Sequence, residues 1–531
     1  MVCITAPIIR RLTICSLAIG FLIAGCNNNG GIKDKSYGDS LTIVTYHAPV
    51  DINPLTAVGG ISAILLETIF DGLIRLDQNL ELKPHLAASW ETSKDGLKWT
   101  FYLRKGVTFH DGVELTADDV KFTIEEFIRV NLRSPFAGWT ENIKSINIKD
   151  RYAIDIVLKK PSIFFLYSMT VGILPAHILK KNSKNYNFGR EPVGTGPFKF
   201  SSWKDSEIVL KANEMYFPGR PYLNSIVVRV YPNQKIAWAK LMQGEGDFLF
   251  PVSPAEFDFL KQVRSLELYS IPGYFYSMVV FNNDHALFTD RKTRIALNYA
   301  FNKEHILQEI LKGKGEVASG TIWPRSPIYN RAIRPYPYDP KKALKLLKEA
   351  GWHDNNMDHV LEREGRRFSF TLFVNGSDQT DIQAAMYIQQ QLWDLGILAE
   401  IKTFSTASMD FLFKGRYDAA FIDAISHVYP DHNFYYWHSS QIGKGSNISR
   451  YRSDSVDRFL EEGRLSVDMG SARLLYNRFQ EEMYNDPPGI FLYWSDQHMA
   501  VHKRFKGVKF VPGGILSYVN EWYVPKGEQK N

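Results

Sequence analysis

The chain has 531 residues, of which 45% are hydrophobic and 23% charged, and this length predicts two or more domains with cores of their own. A formal net charge of +6 over a chain of this length, with no long basic run, argues against a nucleic-acid partner. The only cysteines, Cys3, Cys15 and Cys26, lie near the N-terminus, which excludes a disulfide framework or a cysteine-based metal site in the rest of the chain.

The N-terminal segment has the pattern of a secretory signal. Arg10 and Arg11 precede an apolar run from Leu12 to Ala24, and small residues follow it. A basic start, a short apolar run and small residues are typical of an export signal. The run is shorter than the ~20 residues that a membrane-spanning helix needs. We therefore predict a signal peptide over residues 1–25.

The end of this segment predicts a lipid anchor. The run Ile23-Ala24-Gly25-Cys26 resembles the bacterial lipobox, in which the cysteine thiol is lipidated and becomes the mature N-terminus. Residues 26–39 then form a lipidated tether, and the protein is expected to be an extracytoplasmic, membrane-anchored lipoprotein of the periplasm or cell surface. The alternatives are an ordinary signal peptide with an incidental cysteine, or an uncleaved anchor.

The next segment begins with a strand and a helix and continues with a hairpin. Ser40–Tyr46 alternates at the strand period, and Ile61–Ile69 is helix-like. Asp95-Gly96 is a tight-turn dipeptide between two apolar-rich runs, the second of which alternates through Trp99–Leu103. Thr116 is placed to cap a following helix with acidic residues in its first turn.

The second half of the chain contains a β-α-β unit after two helices. Arg291–Phe301 and Asp339–Ala350 have helical periodicity. Phe368–Phe373 and Ile397–Phe404 read as strands on either side of the helix Thr380–Leu395, which predicts a parallel pair with a right-handed crossover. Further strands are predicted at Tyr152–Leu158, Phe198–Trp203, Ile226–Tyr231 and Tyr417–Asp423.

Three stretches of this sequence carry a family resemblance. Pro84–Phe122 closely resembles the signature of family 5 extracellular solute-binding proteins, the receptors of dipeptide, oligopeptide and nickel ABC importers. Gly194–Tyr222 and Asp339–Trp352 match the same family in the same order. The resemblance implies an α/β periplasmic-binding-protein fold of two lobes with a cleft between them and an extra subdomain in the first lobe (type II, cluster C-like).

The resemblance also implies a domain layout. The first lobe spans residues 40–283, with an inserted subdomain at about 71–189. The second lobe spans residues 284–500. The C-terminal segment, residues 501–531, returns to the first lobe.

The implied function is capture without chemistry. The protein is expected to bind a peptide or peptide-like solute between its lobes and to deliver it to an ABC permease and ATPase complex, as a monomer without a cofactor. The alternatives are a metal chelate or an oligosaccharide as ligand, a signalling receptor, or an exported hydrolase on a similar scaffold. The hydrolase has no support from the sequence, since neither G-x-S-x-G nor H-E-x-x-H occurs.

One segment departs from the family pattern. Peptide receptors of the family carry W-x-x-D where the chain enters the cleft, and the aspartate pairs with the α-ammonium of the peptide. Aligned on Asn433-Phe434, this chain has Ala424 for the tryptophan and His427 for the aspartate. Asp423 or Asp431 substitutes only if the loop bends differently. Without a carboxylate, N-blocked peptides or neutral and anionic solutes are expected to bind at least as tightly as free peptides.

Candidate ligand-binding residues follow from this segment and from the ends of predicted strands. The aromatic residues admit core packing as an alternative, and we predict no metal site, since His427, His432 and His438 have no carboxylate at helical spacing beside two of them. The predicted ligand-binding residues are Tyr46, His47, His427, Asp431, Tyr435, Trp437 and Trp494.

The lipobox prediction can be tested by removing the thiol. Cys26→Ser is expected to move the protein from the membrane to the soluble extracytoplasmic fraction, because the serine hydroxyl is not lipidated. Fractionation followed by a carbonate wash measures this. A variant that stays with the membrane would contradict lipidation at Cys26.

Overall fold

The computed structural model describes residues 35–57, 60–130, 138–181, 187–405, 408–426, 428 and 430–530. The predicted signal peptide, Cys26 and His427 lie outside the described residues. Within those ranges, no helix combines the length and the apolar character needed to cross a membrane.

The first half of the chain supplies most of one lobe. Its elements match the predicted strands and helices to within one or two residues at most ends. They are β1 Ser40–Thr45, α1 Gly60–Ile69, β2 Ile74–Leu76, β3 Leu82–Pro84, β4 Ala87–Thr92, β5 Lys98–Leu103, α2 Ala117–Val130, β6 Ile143–Asp150, β7 Ala153–Leu158, α3 Phe165–Ser168, α4 Ala176–Leu179, β8 Phe198–Lys204, β9 Glu207–Ala212, β10 Ser225–Val230, α5 Gln234–Met242, β11 Phe248–Leu249, α6 Pro254–Leu260 and β12 Leu266–Phe281.

The second half is richer in helices. The predicted β-α-β unit is confirmed, with its two strands parallel and in register from Ser369↔Leu398 to Asn375↔Phe404. The elements are α7 Arg291–Tyr299, α8 Lys303–His305, β13 Gly315–Val317, α9 Pro340–Glu349, β14 Glu362–Arg363, β15 Arg366–Arg367, β16 Ser369–Asn375, α10 Gln379–Asp394, β17 Leu398–Phe404, α11 Asp410–Phe413, β18 Ala419–Ile425, α12 His432–Trp437, α13 Asp454–Arg464, α14 Met469–Asn485 and β19 Gly489–His502.

The hairpin predicted around Asp95-Gly96 and the start of a helix after Thr116 are confirmed, although the Thr116 hydroxyl donates to Asp119 and so differs from the predicted cap. Gly96 has a φ of +68°, which a glycine adopts without strain, and the Asp95 carboxylate accepts a hydrogen bond from the Leu97 N–H at 3.0 Å. At the start of α2, Asp119 accepts from the backbone N–H of Thr116 at 2.9 Å and from its hydroxyl at 3.1 Å. The hairpin belongs to a separate four-stranded sheet of order β4-β5-β7-β6, the core of the subdomain.

One large mixed sheet runs through both lobes. In the described part of the chain it has eleven strands, in the order β17-β16-β18-β12-β19-β11-β1-β10-β9-β8, with β13 also paired to β19. The long strands β12 and β19 pair antiparallel from Leu266↔His502 to Val280↔Gly489, with a register shift between Pro272 and Tyr276. The two lobes are therefore joined by a pair of strands that bends near its middle.

Separate hydrophobic cores lie on either side of this bend. One core packs β1, β8, β9 and β10 with residues of the C-terminal segment, among them Trp522, which is fully buried. Another packs α7, α9 and α10 on β16, β17 and β18. This is the two-lobed α/β architecture that the family resemblance implies. The residue boundaries given above for the lobes stay a prediction.

A buried ion-pair network fixes the C-terminal segment to the first lobe. The Arg504 guanidinium donates to Asp39, to the carbonyl oxygen of Ser40 at 3.1 Å, and to both carboxylate oxygens of Asp247 at 2.9 and 3.2 Å. The side chains of Arg504, Asp39 and Asp247 are each 5% exposed or less. Charges buried to this extent stabilise a fold only while they stay paired.

Arg504→Met is therefore expected to lower the free energy of unfolding by about 3–5 kcal/mol, because it leaves two buried carboxylates short of a partner. Denaturant unfolding followed by circular dichroism measures the change. The control is Arg129→Met, since Arg129 is 69% exposed and pairs with Glu126 on the surface. Equal effects of the two substitutions would contradict the structural role of the buried network.

Candidate ligand-binding cleft

A cavity of about 2340 Å³ lies between the two lobes. The first lobe lines it with the end of β1, with α1 and with residues 250–255. The subdomain adds residues 159–172. The second lobe adds the middle of β12, the first turns of α10, the end of β18, and parts of α12, α13 and β19.

The subdomain touches the second lobe at one side of this cavity. The Ile163 N–H donates to the carbonyl oxygen of Ser466 at 3.0 Å, and the Phe164 ring meets the Tyr476 ring edge-on with centroids 5.8 Å apart. Phe164 is also a cavity-lining residue. The cleft is thus bounded by the hinge strands on one side and by this contact on another.

Tyr46 and His47 lie in the cavity wall at the end of β1, and their contact with a ligand stays a prediction. Their rings lie 4.0 Å apart, and the backbone N–H of His47 is held by the Thr45 hydroxyl at 3.1 Å. Burial, together with the carboxylates of Glu256 and Asp378, raises the pKa of Tyr46 to about 12. Burial lowers the pKa of His47, so the pair presents neutral hydrogen-bonding groups to a ligand near pH 7.

Asp431 lines the cavity, but its charge is already paired. Arg464 donates to the two Asp431 carboxylate oxygens at 2.5 and 3.3 Å, and its guanidinium lies 4.1 Å from the centre of the Phe434 ring. Burial opposes ionisation of Arg464, but Asp431 and Tyr435 outweigh it and raise the arginine pKa. Asp431 is therefore a weaker anchor for a ligand cation than its position in the sequence indicated.

The three predicted aromatic residues differ in position. Trp437 lines the cavity, although its indole N–H donates inward to the Thr321 hydroxyl at 3.2 Å. Tyr435 and Trp494 are 7% and 2% exposed and are not among the cavity-lining residues. The Tyr435 hydroxyl accepts from Arg464 at 3.3 Å. The structure thus brings Tyr46, His47, Asp431 and Trp437 together and places Tyr435 and Trp494 in the core behind them.

The second-lobe wall carries an acidic patch, of which the sequence analysis considered only Asp423, as a substitute for the missing aspartate, and missed Asp381. Asp381, in the first turn of α10, and Asp423, near the end of β18, both line the cavity with Ser277 and Tyr493. Burial and the neighbouring Asp423 carboxylate raise the pKa of Asp381, and burial raises that of Asp423. An aspartate inside the apolar strand Ala419–Ile425 was the one signal in the sequence that pointed here.

The described residues offer no ready metal site. No group of three or more His, Cys, Asp or Glu among them is arranged to hold an ion. Of the three histidines weighed above, His438 contacts Glu461 at 3.2 Å, and His432 contacts the amide of Asn433 at 3.2 Å. His427 lies outside the described residues.

Comparison with known proteins gives the context of this cleft. Residues 81–446 match the model of the "Bacterial extracellular solute-binding proteins, family 5 Middle". The chain belongs to this family. It is thus an extracytoplasmic solute-binding protein of the kind that serves ABC transporters.

Similar proteins cover nearly the whole chain. The oligopeptide-binding protein AppA of Bacillus subtilis is 31% identical over 510 residues, which is 92% of each protein. The crystal structure of AppA with a nonapeptide has a TM-score of 0.82 at 30% identity, covering 93% of this chain and 100% of the other. NikZ of Campylobacter jejuni in complex with Ni(L-His) has a TM-score of 0.83 at 31% identity, covering 91% and 99%.

Glu67, a residue of the cleft wall, is expected to make the stability of the protein depend on pH. Its carboxylate accepts from the Leu516 N–H at 2.8 Å and the Ser517 hydroxyl at 3.0 Å, but burial outweighs these bonds and raises its pKa from 4.5 to about 8. The folded protein therefore holds this proton more tightly than the unfolded chain does. The contribution of Glu67 to stability is fully present below pH 4.5 and is lost as the pH rises through 8.

Glu67→Gln, which keeps a neutral side chain at every pH, is accordingly expected to raise the melting temperature more at pH 8 than at pH 5. Thermal unfolding of wild type and variant across this range measures the difference. The control is Glu400→Gln, which removes a carboxylate that is 67% exposed on β17. A difference that does not change with pH would contradict the raised pKa of Glu67.

Proposed function

We propose that this protein captures a peptide or peptide-like solute in the cleft between its lobes and delivers it to an ABC permease. The relatives support this assignment, since AppA is an oligopeptide-binding protein whose structure holds a nonapeptide. In the same proposal, lipidation of Cys26 keeps the protein at the membrane beside its permease.

The size and the lining of the cavity carry the proposal. Its volume of about 2340 Å³ is more than twice the upper end of the ~300–1,000 Å³ usual for small-ligand sites. Aromatic residues from both lobes line it, among them Tyr46, Phe250, Tyr276 and Tyr436. Such a cleft accommodates an extended ligand of several residues, with a few polar groups to orient it.

A second candidate ligand is a metal chelate. NikZ, which was solved with Ni(L-His), is as similar to this chain as AppA in identity and fold. A single chelate would fill only a small part of the cavity, and the described residues supply no cluster of metal ligands. We therefore rank the peptide first and include the chelate in the test.

The test is a thermal-shift panel of peptides from two to nine residues, with nickel–histidine as the competing ligand. A peptide that binds the folded state is expected to raise its free energy of unfolding by about 2.7 kcal/mol at a hundredfold excess over Kd. Closure of the lobes is expected to reduce the radius of gyration in small-angle X-ray scattering. Stabilisation by nickel–histidine but by no peptide would overturn the peptide assignment.

A further inference from the structure

Three neighbouring strands place a row of polar side chains on the second-lobe wall of the cleft. Ser277 of β12 is in register with Asp423 of β18 and with Tyr493 of β19. Paired residues of adjacent strands point to the same face, so the row spans roughly 10 Å across the sheet. All three residues line the cavity. The Asp423 side chain is exposed to the solvent inside the cleft, so a ligand can reach it, while the walls of the cleft surround it on the other sides.

Asp381 faces the same cavity from the first turn of α10. It is only 4% exposed, yet its carboxylate forms no hydrogen bond or ion pair with any residue that the structure describes. The buried hydroxyl of Tyr493 lies beside Ser277 but forms no hydrogen bond of standard geometry in the described ranges. Its cross-strand neighbour Ser277 donates instead to Asp423, at 2.5 Å. Two buried polar groups are thus left without a partner.

The charges around this point are negative. A third carboxylate, that of Asp378, lies close enough to act on Asp381. It already accepts hydrogen bonds from the backbone N–H groups of Thr380 at 2.8 Å and Asp381 at 3.3 Å. The positive end of the α10 dipole offsets part of this charge. No lysine or arginine in the described part of the chain forms an ion pair with Asp381 or Asp423. Such an arrangement destabilises the ligand-free protein unless a proton or a cation neutralises it.

We propose that Asp381, Asp423 and Tyr493 form a subsite for a primary ammonium group of the solute. An ammonium has three N–H donors and no acceptor, which matches two carboxylates and one phenolic oxygen. Ser277 is a positioning residue that holds the Asp423 carboxylate. The proposal deepens the proposed function and rests on it for the entry of a solute into the cleft. The ammonium is either the α-amine of a peptide or the amine of a lysine-like side chain.

Binding is expected to release a proton. In the ligand-free protein, burial and the proximity of the two carboxylates favour a state in which Asp381 holds a proton beside ionised Asp423. An ammonium ion that contacts both carboxylates replaces this proton, which passes to the solvent. Calorimetry in buffers of different ionisation enthalpy counts the released protons.

The first experiment needs no peptide. Methylammonium chloride is compared with tetramethylammonium chloride, which has the same charge and no N–H donor, by thermal unfolding at equal concentration. Wild type and the control Glu400→Gln are expected to be stabilised more by methylammonium. Asp381→Asn and Asp423→Asn are expected to lose that difference, and Tyr493→Phe to reduce it. Equal stabilisation of the wild type by the two salts would overturn the proposal.

The second experiment identifies the source of the ammonium. Three tetra-alanine probes are compared by calorimetry: one with a free amine, one N-acetylated, and one acetylated with a single lysine. The acetylated probe without lysine has no ammonium, so it is expected to bind at least about tenfold more weakly than the other two probes, which is the reverse of the preference expected from the sequence alone. The Asp381→Asn variant is expected to remove this selectivity. Equal binding of all three by wild type would contradict the subsite. If methylammonium binds and no peptide does, the subsite stands and the peptide assignment falls.

Two further measurements distinguish ammonium binding from a structural role of the carboxylates and from metal binding. Burial keeps the Asp381 carboxyl protonated at a cost in stability, and Asp381→Asn replaces it with an amide that is neutral at every pH. The ligand-free variant is therefore expected to be at least as stable as wild type at pH 8, whereas loss of stability would indicate a structural role and count against the subsite. Nickel chloride alone is the last probe. Nickel binding that disappears in Asp381→Asn and Asp423→Asn would assign the carboxylates to a metal and overturn the ammonium proposal.

Discussion

The ladder of hydrogen bonds between β12 and β19 is the constraint on which the cleft depends. These strands are hydrogen-bonded on both sides of the register shift between Pro272 and Tyr276, so each lobe is built onto one end of the same strand pair. Gly273 lies within the shift, where an added Cβ would stand 2.5 Å from the carbonyl oxygen of Ser495. Only a residue without a side chain allows the two strands to approach this closely. Motion of the lobes is therefore expected to be concentrated in these few residues, with the ladders on either side preserved.

The protein buries charge in two different ways, and the difference separates scaffold from site. In the first lobe, Arg504 pairs with Asp39 and Asp247, and Lys530 pairs with Asp247 as well, so the two carboxylates have two cations. The group stabilises the attachment of the C-terminal segment. In the cleft wall, burial raises the pKa values of Asp381 and Glu67 and so favours their protonated, neutral forms. These groups lower the stability of the ligand-free protein, and a bound ligand of suitable charge is expected to raise it again.

Local signals explain which parts of the fold were predictable. The hairpin at Asp95-Gly96 and the helix α9 were predicted because turn and cap residues act on their own neighbours, as in the Asp339 side chain that accepts from the Lys342 N–H at 2.9 Å. The site was less predictable. Tyr435 and Trp437 are two residues apart in one helix, and nothing in the sequence indicates that only Trp437 reaches the cavity. Asp381 has the sequence pattern of an ordinary acidic residue in a first helical turn. Only the packing of α10 on β16 and β17 brings it close to Asp423 of the neighbouring strand β18.

A large cavity and a charged subsite have complementary roles in recognition. Aromatic walls bind any extended chain of suitable width, because apolar contact depends on area and discriminates weakly between side chains. Discrimination arises where a ligand that lacks the matching group leaves buried polar atoms unpaired. The free-energy cost of those unpaired atoms weakens binding of the wrong ligand and is absent for the right one. In this cleft Asp431 cannot have that role fully, because Arg464 already pairs with it. Asp381 and Asp423 have no such partner among the described residues, and for this reason the selectivity of the cleft is expected to lie in the second-lobe wall.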